Sequence, residues 1–167
     1  MADIVSERYA QSLYEVAKDE KQEKEYLEEL TAVCGAFREN PDFLKLLTTP
    51  SIAFEDKQNV LKTVFEGKIR PFVLNFLMLT TEKGRIGLIH EMREAYKEQY
   101  YFENNIAEVC AVTAVPMSDA LRDRLKNKMQ AVTGRQVVLE TSVDPEIIGG
   151  IVVSVVMGIL LTLPISS

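Results

Sequence analysis

His90 is the only histidine in 167 residues, and Cys34 and Cys110 are the only cysteines. A general base or metal ligand at His90 would need partners at ligand spacing. Glu91 is beside it in sequence, but no second histidine or cysteine is near, so a structural or surface histidine is expected. A nucleophilic cysteine needs an activating base. Cys34 in AVCGAF and Cys110 in EVCAVT sit instead in apolar runs and read as small buried hydrophobes of a reducing compartment. Gly84-Arg85-Ile86-Gly87 has the glycines of a phosphate loop but neither the GxxxxGK[ST] spacing nor a preceding strand. It reads as a helix–helix connection, with Arg85 near the start of the next helix. Gly149-Gly150 reads as a tight backbone entry into a strand. No acid, base and nucleophile converge. The expectation is a non-catalytic chain with no cofactor, metal or small-molecule ligand.

Composition narrows the class further. The net charge is −6, the pI is near 5, and 47% of residues are apolar. That supports a real core and argues against a nucleic-acid binder, which needs a basic stripe. Protein partners, especially basic ones, stay open. The opening MADIVSERYA has no basic segment followed by an apolar run, so a cytosolic start is expected.

These residues must be positioned by helices first. In SERYAQSLYEVAKDE, Tyr9, Leu13, Val16 and Ala17 recur at helical spacing, with Ser6 as the expected N-cap and Glu7 in the first turn. A second edge, Ala10, Tyr14 and Ala17, adjoins the first, which suggests a helix that also touches something else. Tyr26, Leu27, Leu30, Val33, Cys34 and Phe37 form one face of the next helix, which ends before Pro41. PDFLKLLTTP and AFEDKQNVLKTVFEG predict two more helices, the second closed by Gly67. From Phe72 to Leu79 the chain is almost wholly apolar, as in a helix buried on most sides. RIGLIHEMREAYKEQYYFENN predicts a long sixth helix, and the short connections fit a compact bundle. The mixed-charge run KDEKQEKEYLEE reads as a solvated helix face.

After Asn105 the period changes. IAEVCAVTAVPMS predicts a strand. Ser118 caps a helix whose apolar stripe is Leu121, Leu125, Met129 and Val132, and Gly134 stops it. QVVLETSVD and GGIVVSV predict two further strands. The fold class is therefore mainly α: a helical domain over residues 1–105, then a small α+β domain over 106–167.

With RYAQSLYEVA, VLNFLMLTTEKGRIGLIHEM and VTAVPMSDALRDRLKNKMQAVTGRQVVLETSVDPEIIGGIVV in that order, the chain resembles the delta-subunit family of bacterial F-type ATP synthases. The mitochondrial relative of that family is the oligomycin sensitivity-conferring protein. The resemblance covers residues 6 to about 153. Its family-typical positions here are Arg8, Tyr9, Gly84, Arg85, Asp144, Pro145, Gly149 and Gly150. The resemblance implies a six-helix bundle atop the catalytic head that receives N-terminal helices of the alpha subunits in a groove of its first and fifth helices. It implies a C-terminal domain that grips the b subunits of the peripheral stalk. It implies one copy per complex, peripheral at the cytoplasmic side of a bacterial membrane, keeping the head still while the rotor turns. The candidate groove residues are Ala10, Tyr14, Ala17, Phe76, Leu77 and Leu79. Periodicity does not separate a groove lining from a core lining.

The end of the chain departs from the family. From Ile147 to Ser167 there is no charged residue. Length alone would allow a membrane span, but the stretch opens on turn residues and lacks flanking Lys or Arg. From about Ser154 the family's turn, short strand and closing helix are replaced by VVMGILLTLPISS, so an incomplete C-terminal domain is expected. A one-nucleotide frame shift from about Val155, with suitable codons, restores Gly-Asp-Gly and then Asp-Ala-Ser. Sequencing the DNA there tests it. Two rival readings of the whole chain stand beside the stator: a tail-anchored membrane protein with a helical domain, and a helix-binding regulatory module.

Overall fold

The computed structural model describes residues 3–147, 150–157 and 159–165, with side chains up to residue 155. The chain divides into two compact units, Met1–Tyr100 and Tyr101–Ser167.

The first unit is helical. Its elements are α1 (Ile4–Asp19), α2 (Glu23–Glu39), α3 (Pro41–Thr48), α4 (Phe54–Phe65), α5 (Pro71–Glu82), a 3-10 turn (Ile86–Leu88) and α6 (Ile89–Glu103). α1 starts earlier than the sequence suggests. Asp3, not Ser6, is the N-cap, and its carboxylate accepts from the Ser6 N–H at 2.7 Å. A carboxylate suits the positive helix end better than a hydroxyl does, and Ser6 is buried in the first turn.

One core joins these helices. Ala10, Leu13, Tyr14 and Ala17 of α1 are buried with Tyr26, Leu30, Val33 and Phe37 of α2, Leu61 and Phe65 of α4, Leu77 of α5, and Met92 and Tyr96 of α6. Aromatic contacts set its layers. Phe37 meets Phe43 and Phe65 edge-on at 5.0 and 6.1 Å. Tyr14 meets Tyr96 at 5.3 Å. The buried tyrosines keep hydroxyl partners, as buried polar groups must. Tyr96 donates to the Glu23 carbonyl at 2.8 Å, and Tyr26 to the Glu20 carboxylate at 2.7 Å.

The second unit is a sheet with one helix. It contains β1 (Ile106–Thr113), α7 (Asp119–Thr133), β2 (Gln136–Val143), β3 (Ile151–Met157) and β4 (Ile159–Ile165), in sheet order β2-β1-β3-β4. β1 and β2 are parallel and linked through α7, as parallel strands need a crossover. The pairs β1–β3 and β3–β4 are antiparallel. Ser118 caps α7 by accepting from the Leu121 N–H, and Gly134 ends it at φ +67°, where a left-handed residue closes a helix.

Two expectations change in this unit. Leu125 and Met129 pack on Ala107, Val109, Ala111, Val137, Val153 and Val155. Leu121 and Val132, expected in the same stripe, are 37% and 64% exposed. Only the middle of the expected stripe, Leu125 and Met129, is buried. The uncharged tail forms β3 and β4, where only three strands were expected in the domain. No helix among the described residues is long and apolar enough to cross a membrane.

Candidate functional site

Of the six candidate groove residues, Ala10, Tyr14, Ala17 and Leu77 are at most 2% exposed. All four belong to the helical core cluster. Phe76 is also buried, but at the edge: its ring meets the half-buried Tyr9 of α1 edge-on at 6.3 Å. Leu79 is the one open candidate, at 46% exposure.

A strip emerges around that Tyr9–Phe76 contact. Phe72 lies one turn before Phe76 and is 51% exposed, and Leu79 lies one turn after it. On α1, Ile4 is exposed and Val5 and Tyr9 are half-buried. Val5, Tyr9, Phe72, Phe76 and Leu79 thus form an apolar seam on α1 and α5, joined by the Tyr9–Phe76 contact, while Ile4, five residues before Tyr9, lies off that row. Phe72 was missed in the sequence because its whole segment is apolar. A signal was there: Asn75 and Glu82 are the two strongly polar side chains in the outward rows of α5, and Phe72 and Leu79 share their face at i, i+3, i+7 and i+10.

The start of α5 is tied down by Arg70. The Arg70 N–H donates to the Glu29 carboxylate, its Nη1 forms an ion pair with Glu29 at 2.8 Å, and its Nε donates to Gln22 at 2.9 Å. This fastens the start of α5 to α2. The Thr80 and Thr81 hydroxyls donate back to carbonyls of their own helix, so α5 buries no unmet hydroxyl on its inner side. A cleft of about 330 Å³ also lies between α4 and α5, lined by Gln58, Lys62, Glu66, Leu74 and Met78 among others. Its mixed lining is less apolar than the seam.

The other family-typical positions take these places in the described residues. Arg8 is exposed on α1. Gly84 takes φ +71°, and the Arg85 N–H donates to the Thr80 carbonyl at 2.7 Å, closing the turn after α5. The Asp144 N–H donates to the Thr113 carbonyl at 2.8 Å, and its carboxylate accepts from the Glu146 N–H at 3.0 Å across Pro145. Gly150 takes φ +102°, a conformation glycine adopts at low cost. Gly149 lies outside the described residues.

Cys34 and His90 lie near the same two cations, Arg38 and Arg93, while Cys110 belongs to the second unit. Cys34 is buried, with its thiol facing the Ile89 carbonyl at 3.8 Å, and burial pushes its pKa up to about 11. A thiol held protonated is a poor nucleophile. Cys34 is therefore expected to react with a thiol reagent at pH 8 only on unfolding, well after any reaction at the partly exposed Cys110. Labelling followed by peptide mass mapping checks this. His90 sits half-buried on α6, its Nδ1 without a partner among the described residues. Burial, then Arg38 and Arg93, lower its pKa, against a smaller opposing pull from Glu91. An imidazole whose pKa falls on folding destabilises the fold once acid protonates it. The contribution is intact above the ordinary value of 6.5 and is lost as pH falls through the folded-state pKa. The single histidine should titrate by NMR with a midpoint below that ordinary value, and His90→Gln should flatten the stability loss on acidification there. No group of three or more His, Cys, Asp or Glu among the described residues is placed to hold a metal.

Comparisons with known proteins bear on this surface. Residues 5–159 match the family described as ATP synthase delta (OSCP) subunit. The chain is 34% identical over 153 residues to the ATP synthase subunit delta of Alkaliphilus metalliredigens, covering 92% of this chain and 85% of that protein. It is 36% identical over 157 residues to the subunit of the same name from Solidesulfovibrio magneticus, with the same coverage of both. Its fold resembles a chain in the cryo-EM structure of the Toxoplasma gondii mitochondrial ATP synthase hexamer. There the TM-score is 0.77 at 20% identity, with 98% of this chain and 92% of that chain covered. The match to the family ends eight residues before Ser167.

Proposed function

The chain belongs to the ATP synthase delta (OSCP) family, and from that premise we propose how this stator subunit divides its work. It is a non-catalytic part of a membrane-associated ATP synthase. In the proposal, residues 1–105 form the bundle that holds the catalytic head, and residues 106–167 grip the b subunits of the peripheral stalk. One copy per complex would sit peripherally at the cytoplasmic side of a bacterial membrane.

The observation that carries this reading is the seam of Phe72, Phe76, Leu79 and Tyr9. An amphipathic helix docks into such a groove through anchors at i, i+3, i+4 and i+7. The rim is set by Arg8, Asn75 and Glu82, which are exposed. A stator joint must resist torque without slipping. Apolar anchors supply the hold, and a polar rim fixes the register. The rival membrane-anchor reading asks for a spanning helix, whereas the stretch it relied on forms β3 and β4.

The test is assembly. The full chain is mixed with the same organism's catalytic head, stripped of this subunit, and with its soluble stalk domain, and the mixture is sedimented. Co-migration of all three, with head and stalk separate when the chain is omitted, is the expected result. Failure of the folded chain to bind the head would overturn the proposal.

A further inference from the structure

The α7 helix presents a second face that stays exposed among the described residues of its own unit. Leu125 and Met129 point into the core, while Leu121 and Val132 are exposed, with Arg124 and Lys128 between them. These four positions run i, i+3, i+7 and i+11, which is a single row along a helix. The exposed apolar ends are about 16 Å apart at the helical rise. All four residues lie within α7, and neither cation has an ion pair or hydrogen bond among the described residues.

Charge makes this row unusual. The chain carries 25 acidic residues against 19 basic ones. Yet the positions three and four residues from Arg124 are Ala120, Leu121, Asn127 and Lys128. Those around Lys128 are Arg124, Leu125, Ala131 and Val132. No carboxylate neighbours either cation along the helix, and Asp119 and Asp123 belong to the opposite edge. Like charges at i, i+4 repel and weaken an isolated helix. That cost is removed when carboxylates are brought alongside. Four of the five cations of the second unit lie on α7. Of these, Arg122 donates to the Thr141 hydroxyl on the sheet side.

We infer that this row of α7 is the docking face for an acidic amphipathic helix of the peripheral stalk. The partner helix would place carboxylates against Arg124 and Lys128 and an apolar residue against Leu121 and Val132 at either end. The inference rests on the reading of the second unit as the stalk-binding one. It adds the face, its charge and the chemistry of its partner. Charge pairs at a partly covered rim set register and association rate, and the apolar ends supply the slower dissociation.

The test titrates the full chain with the soluble domain of the same organism's stalk b subunit. Arg124→Glu with Lys128→Glu should weaken binding by about thirtyfold, and Val132→Asp by about tenfold. Lys126→Glu, on the opposite edge, should leave the affinity unchanged. All these side chains are exposed, so circular dichroism should show each variant folded. Equal binding by the double charge reversal, with the wild type bound, overturns this inference and leaves the stalk reading standing. Equal loss in the Lys126→Glu variant also overturns it, since it would mean that net charge rather than this row matters. A folded wild type that does not bind the stalk domain overturns the stalk reading and this inference with it.

Discussion

A chain carrying Phe72→Asp and Leu79→Asp is expected to fold normally and to lose affinity for the N-terminal helix of the alpha subunit by at least about a hundredfold. Both side chains are about half exposed in the free chain, so their replacement removes little from the core. On docking, each would cover its remaining apolar surface, a gain of about 1–2 kcal/mol apiece at about 25 cal/mol per Å². An aspartate at either place would instead carry an unpaired charge into an apolar contact, which adds to the loss. Two such losses exceed the roughly 2.7 kcal/mol that a hundredfold change in affinity represents. Calorimetric titration of the variant, with a thermal melt beside it, separates binding from folding. An unchanged affinity would mean that the seam is not the groove.

The largest effect on stability is expected from Phe37→Ala. Phe37 is 2% exposed and meets two other rings, Phe43 and Phe65, which also stack on each other at 5.8 Å. Removing it leaves a cavity where α2, α3 and α4 meet, and helices held on several sides cannot collapse into it. The cost should be about 3–5 kcal/mol. Chemical denaturation followed by helical signal measures it. A loss under about 1 kcal/mol would mean that the aromatic cluster repacks. The second unit has its own core, so its sheet signal should melt separately and hardly shift. That contrast uses the same sample.

The helices were legible because amphipathic periodicity marks them: α2, α4 and α7 fall where their stripes and stops put them. What the stripes did not give is which apolar residues look outward. On α1, the pair of adjoining stripes is the centre and flank of one broad face. Ala10, Leu13, Tyr14 and Ala17 fill the centre, and Tyr9 and Val16 form the flank. The second stripe, Ala10, Tyr14 and Ala17, is the deeper one. On α5, an almost unbroken apolar run hides its own outer face, and the polar Asn75 and Glu82 were the remaining markers. Periodicity predicts four core residues on α7, but it carries no information about what covers each of them, and Leu121 and Val132 stay exposed. β4 was hidden for a related reason. A continuous uncharged run has no alternation to distinguish a strand from a buried helix, and pairing to β3 is what settles it here.

The most direct test of the stator account is calorimetric titration of the full chain with a synthetic peptide from the N-terminus of the same organism's alpha subunit, at several temperatures. The account predicts saturable binding with a negative heat-capacity change, the mark of apolar surface leaving water, abolished by the Phe72 and Leu79 substitutions. No binding by a folded chain, or binding with no heat-capacity change that the two substitutions leave intact, would contradict it.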